Sequence, residues 1–169
     1  MLSCRIARLT LKRTIKMPRV SQEVAAQTRQ KIIDASFSLL VEYGNDALTF
    51  TKIAQAAKVS RSGINAHFKK KSELLDALKP MLKKVITDKL DFTSGKKFFE
   101  SWKDAIDNDS YFRNVIAHAN ALCNEQEGVA GLIELIGGDD ENPEDHILMA
   151  IGYAVIHCAK SGNKSTCCK

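Results

Sequence analysis

Residues 48–78, LTFTKIAQAAKVSRSGINAHFKKKSELLDAL, constrain this chain more than any other stretch. Thr49 is placed to cap a short helix over residues 50–57, with Ile53, Ala54 and Ala57 turned inward. Lys58-Val59-Ser60 supplies a tight turn, and a second short helix is predicted over residues 61–68. After Lys69-Lys70-Lys71, a longer helix begins at Ser72-x-x-Leu75 and runs toward Leu90. Pro80 falls inside that span and is expected to kink or break it, because proline removes a helix donor and clashes with the preceding turn. Two short helices can pack across so tight a turn only if the touching residues are small. Ala54, Ala57, Val59 and Ile64 meet that demand.

Such a pair matches a helix-turn-helix, in which the first helix crosses the phosphates and the second enters the major groove. The second helix should then carry donors or little bulk at its start, and this one offers Arg61, Ser62, Gly63, Asn65, Ala66 and His67. Arg61 can grip a guanine edge with two donors, and Asn65 can address adenine or a phosphate. Thr49, Thr51 and Ser60 can donate to phosphate oxygens. Lys69, Lys70 and above all Lys71 add charge without sequence information.

The charge distribution agrees. Residues 1–89 carry a net charge of +11 and residues 90–169 one of −6. A basic amino half joined to an acidic carboxyl half indicates one part that binds a polyanion and one that does not. Residues 1–16, MLSCRIARLTLKRTIK, contain five basic residues and no acid, and three readings fit them. They are a start codon set too far upstream, a disordered basic arm, or a transit-like leader, in that order of preference. Residues 17–89 still hold 13 basic against 7 acidic residues, so the asymmetry does not depend on this arm.

The remaining pattern is helical throughout, and the expected fold is all-α. A helix over residues 21–43, capped by Ser21 and stopped by Gly44-Asn45, precedes the block and completes a three-helix DNA-binding domain over residues 17–70. Residues 71–160 form a small helical dimerisation and effector domain, and residues 161–169 a flexible tail. Within that domain, amphipathic faces recur around residues 98–106, 111–125 and 129–136. A last helix over residues 144–159 is apolar around most of its circumference, and a helix of that kind must be covered on nearly all sides. One reading makes it the central core helix. The preferred one packs one side, through Ile147, Ile151, Ala154, Val155 and Cys158, against a second copy of the chain. Phe99, Trp102, Phe112 and Ile116 are candidates to line a pocket for a small apolar or aromatic effector, although aromatics at helical spacing more often form core.

Jointly, Ile53-Ala54, Val59-Ser60, His67-Phe68, Lys71 and Leu74-Leu75 resemble the amino-terminal domain of TetR-family transcriptional regulators. Residues 29–33, Ala35, Leu40 and Gly44 fit that family's first helix, so the resemblance covers about residues 28–78. It implies a bacterial, all-helical homodimer that binds a pseudo-palindromic double-stranded operator and is released by a small effector, and with no membrane-span run or signal-peptide core in the sequence the expected location is cytoplasmic. It also implies DNA contact at Thr49, Thr51, Arg61, Ser62, Gly63, Asn65, His67 and Lys71, and dimerisation through residues 129–136 and 144–159. Three departures stand out: Lys58 where the family often has Gly, Asn65 where it usually has an aromatic, and a short carboxyl half. The short half keeps an alternative open, an effector-independent DNA-binding or architectural protein whose acidic part only dimerises or docks a protein.

Other classes find little support. There is no GxSxG or similar nucleophile element, and Gly137-Gly138 precedes an acidic loop that would repel phosphate, so no enzyme is expected. Cys4, Cys123, Cys158, Cys167 and Cys168 include no CxxC and no His at ligand spacing, so neither metal nor cofactor is expected. His118, His146 and His157 are read as structural or exposed. No apolar run approaches the roughly 20 residues of a membrane span.

Overall fold

A computed structural model of the chain describes residues 19–137 and 142–160. Eight α-helices and two 3-10 turns make up the regular structure among these residues. The expected arm over residues 1–16 and the tail over 161–169 lie outside the described residues, together with Cys4, Cys167 and Cys168.

The first helix, α1 (Arg19–Tyr43), starts ahead of its expected cap, so Ser21 lies inside it. Its amino-terminal half is mostly exposed, and burial begins at Ile32 and continues through Ile33, Ser36, Phe37, Leu40 and Val41. Gly44 stops it, with φ +77° and its N–H donating to the Leu40 carbonyl at 2.8 Å. A 3-10 turn (Asn45–Ala47) then leads to α2 (Phe50–Ala57) and α3 (Arg61–His67).

The fourth helix, α4 (Lys71–Lys89), runs through Pro80 without a break, contrary to the expected interruption. Pro80 is exposed and so is Asp76, whose carbonyl loses its partner, so water can satisfy the freed group. Ser94 caps α5 (Gly95–Asn108). Asp109 caps α6 (Ser110–His118) and also pairs with Lys89 Nζ at 2.8 Å, tying the end of α4 to the α5–α6 corner. Lys89 and the Phe112 backbone N–H hold the Asp109 carboxyl below the usual range.

The single long helix expected over residues 111–125 is divided. After His118 comes a 3-10 turn (Ala119–Ala121), and α7 (Glu125–Leu135) starts anew. The cause is local: Asn124 accepts from the Glu127 N–H at 2.8 Å while the Glu127 carboxylate accepts from the Asn124 N–H at 3.3 Å. This reciprocal capping box fixes a helix start where apolar periodicity alone reads straight through. Pro143 opens the last helix, α8 (Pro143–Lys160), at a position where its missing N–H costs nothing.

Two buried clusters result. The first joins α1, α2, α3 and the front of α4 through Ile32, Phe37, Leu40, Ile53, Ile64, Phe68, Leu74 and Leu78, and takes in Val115 of α6 and Leu122. The second gathers Phe98, Trp102, Ala105 and Ile106 of α5 with Phe112, Ile147, Ala150 and Ala154. Helix α4 starts in the first and ends beside the second, so the amino-terminal helical head is joined to the rest by α4 and by the α1–α6 contact. No described helix is long and apolar enough to cross a membrane, and no metal-ligand group occurs among the described residues.

Candidate nucleic-acid interface

Capping builds the site. The Thr49 hydroxyl accepts from the Lys52 N–H at 3.3 Å and starts α2, which buries Ile53, Ala54 and Ala57 and leaves Thr51, Lys52, Gln55 and Ala56 exposed. Lys58 turns the chain in the left-handed region, φ 55° and ψ 42°, and the Val59 N–H closes the turn on the Ala54 carbonyl at 3.0 Å. That conformation explains why a glycine suits this position better than lysine.

Ser60 then caps α3, its hydroxyl accepting from the Gly63 N–H at 3.0 Å. Helix α3 is anchored by Ile64, which is fully buried, while Arg61, Ser62, Asn65 and Ala66 are exposed and His67 half-buried. A Cβ on Gly63 would lie 3.3 Å from Ser60 Oγ, so this glycine lets the cap close tightly. Behind the helix, Phe68 is buried, and the Arg29 guanidinium of α1 sits 5.0 Å above its ring.

These contacts sort the expected DNA-facing residues. Thr51, Arg61 and Asn65 are exposed. Thr49 uses its oxygen in the cap but keeps its O–H proton for a phosphate. Ser60 and Ser62 share one hydrogen bond, 2.9 Å between their hydroxyls, so one of their two protons is used between them and the other stays available to donate. Lys71 donates to the Asn45 carbonyl at 3.1 Å, which braces the start of α4 against the turn after α1. Its ammonium retains two further donors for phosphate. Lys69 and Lys70 are exposed. Sequence reasoning missed Lys52, a cation on the outer side of α2; its position three residues after the cap was the available signal.

The expected effector residues all belong to the second cluster or its edge. Trp102 and Phe112 are buried and meet edge to face at 5.6 Å, with Phe98 5.7 Å from Trp102. Among the described residues the buried Trp102 indole N–H has no acceptor. Phe99 and Ile116 are half-buried, and Phe99 is flanked by Lys103 Nζ at 4.8 Å and Tyr153 at 6.3 Å. Elsewhere, an open groove of about 590 Å³ lies between α1 and α2, lined by Leu39, Tyr43, Ala47, Lys52 and Gln55, outside the carboxyl-terminal unit.

The face expected to meet a second copy needs redrawing. Ile147 and Ala154 turn into the subunit's own core, 0% and 5% exposed, packed toward α5, and are not available to a partner. The outward apolar residues are Leu148, Met149, Ile151, Val155 and Ile156, and Cys158 is half-buried. Tyr153 fixes the inner face by donating to Asp107 at 2.7 Å.

Comparison with known proteins places this geometry. The family described as "Bacterial regulatory proteins, tetR family" matches residues 32–78. The HTH-type transcriptional repressor Rv1474c of Mycobacterium tuberculosis is 39% identical over 62 residues, 37% of this chain and 33% of that protein. The HTH-type transcriptional regulator SrpR of Pseudomonas putida is 33% identical over 90 residues, covering 53% of this chain and 41% of SrpR. TtgW, an uncharacterized HTH-type transcriptional regulator of Pseudomonas putida, is also 33% identical over 90 residues, 66% of its length. The matched stretch thus spans between one third and two thirds of these relatives. The match runs from the first buried residue of α1 to the first turns of α4 and includes both caps and the turn between them, so residues 32–78 are a TetR-family helix-turn-helix DNA-binding domain.

Proposed function

We propose that this chain is a homodimeric transcriptional repressor that reads a pseudo-palindromic DNA operator, each subunit placing α3 in one half-site. The observation that carries this reading is the outer edge of α3. Arg61, Ser62 and Asn65 stand exposed on a short helix held by the Ser60 cap and buried Ile64, flanked by Lys52, Lys69, Lys70 and Lys71. Fixed donors at the start of a helix read base edges, and the surrounding cations supply affinity that salt weakens. A chain acting on bacterial DNA works in the cytoplasm.

The second copy covers α8. Leu148, Met149, Ile151, Val155 and Ile156 form an outward apolar strip on a helix whose other side is already packed, and Gly152 lies on this side with nothing within 4 Å of where its Cβ would be. Water-exposed strips of this kind support association, and a two-fold pairing of α8 with its mate buries them while pointing both heads to one face of the duplex.

Release by a small effector is the further part of the reading. The Trp102 indole N–H, buried without an acceptor among the described residues, supports a ligand that brings a hydrogen-bond acceptor into the aromatic cluster. The close packing of Phe98, Trp102 and Phe112 favours the alternative, in which the carboxyl-terminal unit only dimerises or docks a protein. Native mass spectrometry on a selected operator tests the first part, with two subunits per pair of half-sites expected and one subunit contradicting it. Fluorescence of the chain's single tryptophan tests the second. Quenching by acetophenone but not by ethylbenzene, with DNA released, supports an effector; no response to either supports the effector-free form.

A further inference from the structure

We propose that His118 is a positioning residue for the DNA-reading head: its imidazole, seated on Gly44, sets where the head sits against the carboxyl-terminal unit. This rests on the reading of α3 as the DNA-contacting helix.

The seat is close. A Cβ built on Gly44 would lie 3.0 Å from His118 Cε1, 3.3 Å from Nδ1 and 3.7 Å from Nε2, so the ring covers the bare backbone of the residue that ends α1. Gly44 is buried, and His118 is the last residue of α6. On either side, Val115 and Leu122 are buried in the head's own cluster. Of the side chains that α6 brings to this contact, His118 is the one that ionises near neutrality.

Two DNA-facing groups hang from the turn beneath the ring. The Gly44 carbonyl accepts from the Ala47 N–H at 3.1 Å, and the Ala47 carbonyl accepts from the Thr49 N–H at 2.8 Å. Thr49 caps α2. The neighbouring Asn45 carbonyl accepts from Lys71 Nζ at 3.1 Å. One packing contact and at most two hydrogen bonds separate His118 from a residue assigned to phosphate on α2 and another at the start of α4. A displaced ring therefore shifts both together.

The seat also selects a protonation state. Burial lowers the His118 pKa from its usual value, and among the described residues no charged group on α1, the 3-10 turn, α4 or α6 contributes. Glu42 at the end of α1 and Asp46 in the 3-10 turn are exposed, and Lys71 is turned to the Asn45 carbonyl. A helix carboxyl end by itself favours the imidazolium, so burial outweighs it here. A proton on His118 must be hydrated, which draws the ring and the end of α6 away from Gly44. The neutral form keeps the head in place, and acid loosens it.

The test is operator affinity of the full chain by fluorescence anisotropy, from about pH 8 down to about pH 5.5, across the ordinary histidine range. The wild type weakens as pH falls through the lowered His118 pKa, by at most about tenfold per pH unit for each subunit. His118→Gln keeps a neutral polar side chain in the seat and loses the acid-dependent weakening; a Gln variant with the wild-type pH profile overturns the proposal. Should that variant not fold, NMR of the wild type decides. The amides of Asn45 and Thr49 shift with the same midpoint as the His118 ring, and amides indifferent to that titration overturn the proposal. Absence of operator binding at every pH, with this NMR coupling intact, would instead reject the DNA-reading assignment.

Discussion

Gly44→Ala is the sharpest stability test of how the head is joined to the rest. At φ +77° and ψ −177°, Gly44 occupies backbone space that is essentially reserved for glycine, and an alanine there costs about 1–3 kcal/mol. The new methyl adds about 1 kcal/mol, because its carbon would stand 3.0 Å from His118 Cε1 in a buried contact that must open. Alanine also restricts the unfolded chain, which returns roughly 0.4–1 kcal/mol. The net is a loss of about 1–4 kcal/mol. In urea unfolding followed by circular dichroism, the midpoint falls by about 1 M or more with an unchanged slope. Combining the change with His118→Ala should recover only the steric part, about 1 kcal/mol, since the backbone cost stays. A midpoint equal to wild type would refute the backbone argument. Full recovery in the double variant would show that the ring alone demands glycine.

Three further perturbations test other parts of the account. Arg61→Ala should cost about 1–3 kcal/mol and relax base preference at one operator position, whereas Lys70→Ala should weaken all sequences alike and lower the salt slope by about one; competition with altered half-sites distinguishes them. Lys58→Gly should stabilise the head by up to about 1 kcal/mol in urea unfolding, because Lys58 holds a left-handed conformation at φ 55°; a loss of stability would contradict that. Val155→Glu, at a site 58% exposed, should give folded monomers by light scattering and circular dichroism, while Ile147→Glu, fully buried, should unfold the chain. A folded Val155→Glu dimer would remove α8 from the interface.

The head was legible because its signals are local. Thr49 caps the helix it was expected to cap, and α2 spans the expected residues 50–57. Ile53, Ala54, Ala57 and Ile64 are buried as their spacing required. What escaped depends on contacts between distant residues. Apolar periodicity carried one helix across residues 119–124, where the Asn124–Glu127 box starts a new one. Pro80 leaves α4 unbroken because its surroundings are open to water, which its neighbours in sequence do not reveal. An all-round apolar α8 cannot by itself say which side faces home; α5 settles that by taking Ile147, Ala150 and Ala154. Likewise nothing local in the sequence joins His118 to Gly44, or Lys71 to Asn45.

The central claim is that the exposed edge of α3 reads DNA sequence. In vitro selection from random duplexes, using the full chain at fixed salt, tests it most directly. The account predicts enrichment of a two-fold symmetric site with half-sites about one helical turn apart, or a multiple of it, and loss of that enrichment at one position per half-site in Arg61→Ala. Binding that stays salt-sensitive while no motif is enriched would mean that α3 tracks phosphates without reading bases, and the claim would be wrong.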